Sequence, residues 1–406
     1  MSSDPRAWIR ADWLVLSADR VLHPGWLHHA DGWIVAVGAG APPHPAAELG
    51  SVIAPGCVNA HVHLDLGDLP AGSAVGEGFL EWLPKLVRAK AARAASGALG
   101  SVERGIARLL ETGTTAVADV DASDTSAILR ASPLRAIGLR EVLGLDLARC
   151  EAAIARAMDE RAAPTARFET GLSPHAPYSV PAAALPSAAR WLDGGSAVQM
   201  HVLETAEERA WCEREDGPFG DALRGLGVPS ELCRAWRQRP LDALERAGLL
   251  RPRFSIAHGN ELEEAEVARL ARSRVGVVFC PGTHLSFARG QSPVGLLRAA
   301  GVAWGLGTDG LVTGRDLDLR AQARWGARLH PEIDARGWFD AATRGGARVL
   351  GLPTGELLPD RCADWVVYDG GEALRNEEEL FGAWLDGALR VRETWVGGRN
   401  AGERAR

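Results

Sequence analysis

The stretch Pro55-Gly56-Cys57-Val58-Asn59-Ala60-His61-Val62-His63-Leu64-Asp65-Leu66 decides the fold. It is a short apolar run whose polar residues gather at its exit. In an extended strand residues two apart point the same way, so His61 and His63 project together from its carboxyl end. Seven later runs repeat this pattern, namely TTAVADVD from 114, LRAIGLREVLG from 134, FETGLSPHA from 168, AVQMHVLE from 197, FSIAHGN from 254, VGVVFCPG from 275 and VAWGLGTD from 302. Ala/Leu/Arg-rich helical stretches such as GALGSVERGIARLLETG (97–113) and AEVARLARS (265–273) lie between them. Eight strand-plus-helix units predict an α/β fold, a (β/α)8 barrel whose chemistry sits at the carboxyl ends of its strands. A doubly wound open sheet would want a Gly-x-Gly-x-x-Gly turn after the first strand, and none is there.

Outward from this core, residues 12–55 read as β structure, with Asp31-Gly32 between two apolar runs as a hairpin turn. The runs ADWVVYD (363–369) and LRVRETWVGGRN (389–400) echo them at the other end. Neither end encloses a core alone, so residues 1–55 and 355–406 are expected to form one small β-sandwich beside a barrel of residues 56–354. The net charge of −7, from 52 acidic and 45 basic residues, argues against nucleic acid or an anionic membrane as the main partner and favours a small-molecule substrate. Six cysteines stand singly, without a Cys-x-x-Cys pair, and read as reduced thiols. The first twenty residues interleave charges with apolar residues, so neither a signal peptide nor a membrane span is expected there, and the cytoplasm is the simplest location. Homo-oligomerisation stays open.

The His-x-His pair alone is weak evidence, because exposed pairs arise without function. Its company matters more. The fifth strand ends in His201 with Glu204 three residues on, the sixth ends in His258, and the eighth in Gly307-Thr308-Asp309. Three imidazoles and a carboxylate with one open position make a catalytic set for one divalent ion, Zn or Fe.

The series PGCVNAHVHLDL, SPHAPYSV, HVLETAEE, AHGNEL, CPGTHLSFARG and GLGTDGL resembles the amidohydrolase superfamily, in its branch of metal-dependent deaminases that includes the adenosine, S-adenosylhomocysteine and aminofutalosine deaminases. The resemblance spans essentially the whole chain. It implies a hydrolytic deaminase that replaces the amino group of a purine nucleoside or related heterocycle by attack of metal-activated water, releasing ammonia. It also implies His61, His63, His201 and Asp309 as the metal ligands. Asp309 can bind the ion with one oxygen and accept the water proton with the other; His258 can orient the same water, or be a further ligand. Glu204 is the expected proton shuttle to the ring nitrogen and the leaving amine.

For substrate contacts, the resemblance carries His175 of Pro174-His175-Ala176 to a position over the substrate. Trp82, opening the helix after a glycine-containing loop (66–78) that suits a lid, resembles a tryptophan packed on the nucleoside, although helix core explains it nearly as well. Arg140 and Glu141 end the third strand and can reach a ribose hydroxyl or a carboxylate, and His284 can meet the polar end of the substrate. The HVLETAEERAWCE stretch and the helix-rich insertion 216–248 tilt towards the aminofutalosine side. The alternative is another mononuclear amidohydrolase, acting on a cyclic amide, an amidine or a chloro- or aminotriazine. A binuclear site bridged by a carboxylated lysine on the fourth strand is disfavoured: the only lysines, Lys85 and Lys90, fall in the helix after strand one, and Glu169 starts the fourth strand at the opposite end of the barrel.

Overall fold

The computed structural model describes residues 7–93, 95–215 and 217–404; the first six residues of the chain and the first residue of the 216–248 insertion lie outside them. Five strands come first: β1 (Trp8–Ser17), β2 (Arg20–Leu22), β3 (Gly25–Ala30), β4 (Trp33–Ala39) and β5 (Ala47–Pro55). Asp31 and Gly32 both take positive φ, the primed turn that suits a two-residue hairpin between β3 and β4. The barrel strands follow, one for each run read from the sequence: β6 (Cys57–Val62), β7 (Thr114–Asp121), β8 (Arg135–Val142), β9 (Phe168–Pro174), β10 (Val198–Val202), β11 (Phe254–His258), β12 (Gly276–Phe279) and β13 (Trp304–Leu306). β14 (Trp365–Asp369), β15 (Arg390–Val396) and β16 (Arg399–Asn400) complete the chain.

Strands β6 to β13 form one parallel sheet in sequence order. β6 and β7 are buried along their whole length, as a barrel stave covered by helices outside and side chains inside must be. The sheet closes where β13 meets β6. Thr308 N–H donates to His61 O (3.0 Å), His63 N–H donates to Asp309 O (3.2 Å), and Val62 bridges Asp309. Asn59 pins the seam from inside, donating to Thr308 Oγ1 at 2.8 Å. Gly307 permits it, since a Cβ there would stand 2.9 Å from His61 O. The closure therefore sets His61 and His63 beside Asp309.

The terminal strands make a second sheet, ordered β16-β15-β14-β5-β1-β3-β4 with β2 on β1, in which β14 pairs with β5 and joins the two ends of the chain. Its faces alternate. Leu14, Leu16, Ile53, Trp365 and Val367 pack together on one side, while Trp13, Val15, Val52, Val366 and Tyr368 pack with Leu319 and Trp338 of the barrel helices and with Phe381 of the helix Glu377–Asp386. All six cysteines are buried and unbridged. Among the described residues no helix is long and apolar enough to cross a membrane.

Candidate active site at the barrel mouth

The carboxyl ends of the strands bring five of the singled-out residues together. His61, His201 and His258 form one group, and His61, His63 and Asp309 another, with the candidate ligand atoms in each within 4.8 Å of one another. His63 Nε2 faces His201 Nε2 at 3.2 Å, and His61 Nε2 is buried with no hydrogen-bond partner among the described residues although it lies 3.6 Å from Asp309 Oδ1. Imidazole nitrogens that converge on one another and on a carboxylate are the arrangement that a divalent cation satisfies.

Three of the side chains are held from behind: His61, His201 and Asp309. His61 Nδ1 meets Gln199 Oε1 at 2.6 Å, and His201 Nδ1 donates to His175 O at 2.8 Å, leaving both Nε2 atoms for the centre. Gln199 faces inward because it stands two residues before His201 on β10. Thr283 and Thr313 hydroxyls both donate to Asp309 Oδ2 at 2.8 Å, which turns Oδ1 to the histidines. The oxygen expected to receive the water proton is thus already engaged by two hydroxyls. His258 and Asp309 both take the left-handed backbone conformation, with φ of 70° and 56°, costing about 1–3 kcal/mol each.

Electrostatics keep the imidazoles in their ligating form. Burial, then His61 and His258, drive the His201 pKa down to about 3, and burial with His61 holds His63 well below its ordinary value. Burial likewise lowers His258. Glu204 behaves in the opposite way. Its burial disfavours ionisation, but His258 and Arg289 outweigh that and hold the carboxyl below the usual range. Its Oε1 lies 3.8 Å from His258 Nε2 and accepts from Arg289 Nη2 at 2.7 Å.

The substrate-contact candidates divide. His175 stands at the mouth, its Nδ1 on Ser179 Oγ at 2.6 Å and its ring 5.0 Å from that of His201. Trp82 is buried against Phe287, with ring centroids 5.3 Å apart, in a cluster with Leu66, Ala74 and Val312. The candidate lid beneath it is tied down: Gly72 N–H donates to Leu311 O, Ala74 N–H to Val312 O and Gly76 N–H to Ser286 O. Arg140 does not join the mouth. Alternation along β8 sends it outward to Asp124 and Glu160, and sends Glu141 inward, where Oε1 lies 4.0 Å from His175 Nε2. His284 does not join it either; it is buried on Phe279 and braces Gly290 O through Nε2. Glu169 pairs with Arg253 at the amino end of β9, as its place in the sequence requires.

Sequence reading missed Gln199, Thr283, Thr313, Arg289 and the reach of Lys90. Gln199 was within sight, since strand periodicity puts it beside His201. Lys90 lies on the helix Phe79–Ala92, as expected, but its Nζ reaches to 4.0 Å from Glu141 Oε2. Nothing in the local pattern of that helix shows where the lysine tip ends.

Residues 52–401 match the model of the Amidohydrolase family. The chain is 30% identical over 389 residues to the 5-methylthioadenosine/S-adenosylhomocysteine deaminase of Halobacterium salinarum, covering 88% of this chain and 84% of that protein. It is 30% identical over 324 residues to the aminodeoxyfutalosine deaminase of Deinococcus radiodurans, covering 76% of each. Among solved structures, an adenosine deaminase from Xanthomonas campestris with bound zinc superposes with a TM-score of 0.81 at 27% identity, over 97% of this chain and 92% of that one.

Proposed function

The chain belongs to the amidohydrolase family, and from that premise we propose that it is a metal-dependent hydrolytic deaminase of aminated purine nucleosides, of the methylthioadenosine, adenosylhomocysteine, aminofutalosine and adenosine kind. The observation that carries this is the pair of His/Asp groups around His61 with Glu204 and His258 at their edge. His61, His63, His201 and Asp309 would hold one divalent ion, Zn or Fe. Such an ion lowers the pKa of bound water from 15.7 to about 7 and so supplies a nucleophile at neutral pH.

The remaining work falls to the chain. His258 orients the attacking water, and Glu204, ionised beside it, takes one proton of that water and gives it to the ring nitrogen, then takes the second proton from the added hydroxyl and gives it to the amine, which departs as ammonia. The two threonine hydroxyls on Asp309 Oδ2 keep its other oxygen aimed at the ion. His175 and the inward Glu141 face the substrate, and the aromatic wall of Phe79, Trp82, Tyr178 and Phe287 excludes water from one side of the mouth. The division into a barrel of residues 56–354 and a terminal unit of 1–55 with 355–406 is part of the same reading, supported by the pairing of β14 with β5. We place the reaction in the cytoplasm, where six unbridged buried thiols stay reduced.

The test is an ammonia-release screen of metal-loaded protein against 5-methylthioadenosine, S-adenosylhomocysteine, aminofutalosine and adenosine, with cytosine, guanine and aminotriazines beside them. Release from a 6-aminopurine nucleoside is expected. No release from any of these compounds would favour cleavage of a different C–N bond, such as that of a cyclic amide.

A further inference from the structure

The loop Phe287-Ala288-Arg289-Gly290 delivers a guanidinium to the carboxylate that the proposed reaction uses as its shuttle. Arg289 Nη2 donates to Glu204 Oε1 at 2.7 Å, and the arginine side chain is 11% exposed. The guanidinium lies over the Phe287 ring, 4.8 Å from its centroid, which fixes its plane. The loop itself is braced from both sides: Arg289 N–H donates to His284 O at 3.1 Å and His284 Nε2 meets Gly290 O. This gives His284 a role that its place in the sequence did not suggest. Ala288 between them takes a left-handed φ of 47°, a backbone strain the brace sustains. The backbone of Glu204 is also fixed, its N–H on Glu208 Oε2 and its C=O on Asn260 Nδ2, so only the carboxylate is left to be aimed. The second terminal nitrogen of Arg289, Nη1, is buried without a hydrogen-bond partner among the described residues.

Resting on the function proposed above, we propose that Arg289 is the positioning residue of the shuttle: it holds the Glu204 carboxylate toward His258 and the reacting ring, and His284 holds Arg289. A guanidinium suits this task because its planar fork fixes direction as well as charge, which an ammonium does not.

The experiment compares parent, R289A and R289K in ammonia release, bound metal and crystal structure. Positioning requires kcat to fall about 10²-fold in R289A, the penalty of a displaced catalytic group, with KM within about threefold and bound metal unchanged. Added guanidinium restores part of the lost kcat, and R289K recovers less than the parent. In the R289A crystal structure the Glu204 carboxylate turns away from His258. A raised KM at parental kcat would instead make Arg289 a substrate contact, and a Glu204 that keeps its place in R289A would remove the positioning role. The crystallographic arm reads the same whatever the substrate, so a failure here is distinguishable from a parent enzyme that releases no ammonia from purines.

Discussion

Strand β8 buries charge at both of its ends and treats it in opposite ways. At its start, Arg135 donates through Nε to Asp364 Oδ2 at 2.8 Å and through Nη1 to Ala166 O at 2.7 Å; Asp364 also accepts from Thr354 Oγ1 and Gly397 N–H. The pair joins the barrel floor to the terminal sheet, with hydrogen bonds at both carboxylate oxygens. At the other end, Glu141 has Lys90 and His175 no nearer than 4.0 Å, and its Oε2 has no hydrogen-bond partner among the described residues. His61 Nε2, a few ångströms across the mouth from Asp309, is likewise unpartnered. A buried polar group left without a partner costs about 1–3 kcal/mol. The Arg135–Asp364 pair avoids that cost at its carboxylate and Glu141 accepts it, which separates a charge pair that holds structure from one arranged for a ligand.

The contrast can be broken from either end. The largest effect is expected at Asp309: D309A should lose bound metal and depress ammonia release beyond the roughly 10⁴-fold that marks the loss of one acid–base group, as read by metal analysis and steady-state kinetics. E204Q should keep its metal and lose about 10²–10⁴-fold in kcat; near-parental turnover would remove Glu204 from the shuttle. On the floor, D364A leaves the buried Arg135 unpaired and should destabilise the fold by about 3–5 kcal/mol in chemical denaturation, while turnover per folded molecule stays at the parental level. Q199L, which removes the partner of His61 Nδ1, should weaken metal affinity about 10–100-fold in a competitive chelator titration without changing the fold.

The smallest effect concerns pH. Burial pushes the Glu141 carboxyl up from 4.5 to about 7. Between those values the folded chain keeps a proton that the unfolded chain has released, so the contribution of this one group is most favourable below pH 4.5 and is lost as pH rises through 7. E141Q should remove that part of the slope from thermal melts taken across the window. A slope unchanged in the variant would assign the titration elsewhere.

Much of the mouth was legible because strand periodicity is two and the barrel puts its strand ends in one plane. His61, His63, His201, His258 and Asp309 needed only their places at the ends of β6, β10, β11 and β13 to be read as a set. The same periodicity, applied to β8, separates Arg140 from Glu141, yet which of the two faces inward depends on the register of the whole stave. The surroundings of His284 were hidden for a different reason. The residue lies in the short, largely buried helix Pro281–Ser286, where its imidazole braces Gly290 O.

The sequence by itself determined the barrel, the terminal β strands and the histidine–aspartate set, because hydrophobic period and polar strand ends are local properties of the chain. Only the tertiary structure decided that Gln199 backs His61, that Thr283 and Thr313 aim Asp309, that Lys90 reaches Glu141 and that Arg289 clamps Glu204. These contacts join residues far apart in sequence through long side chains. Their meeting is fixed by barrel closure and by the path of helices and loops over the mouth, which no local pattern encodes.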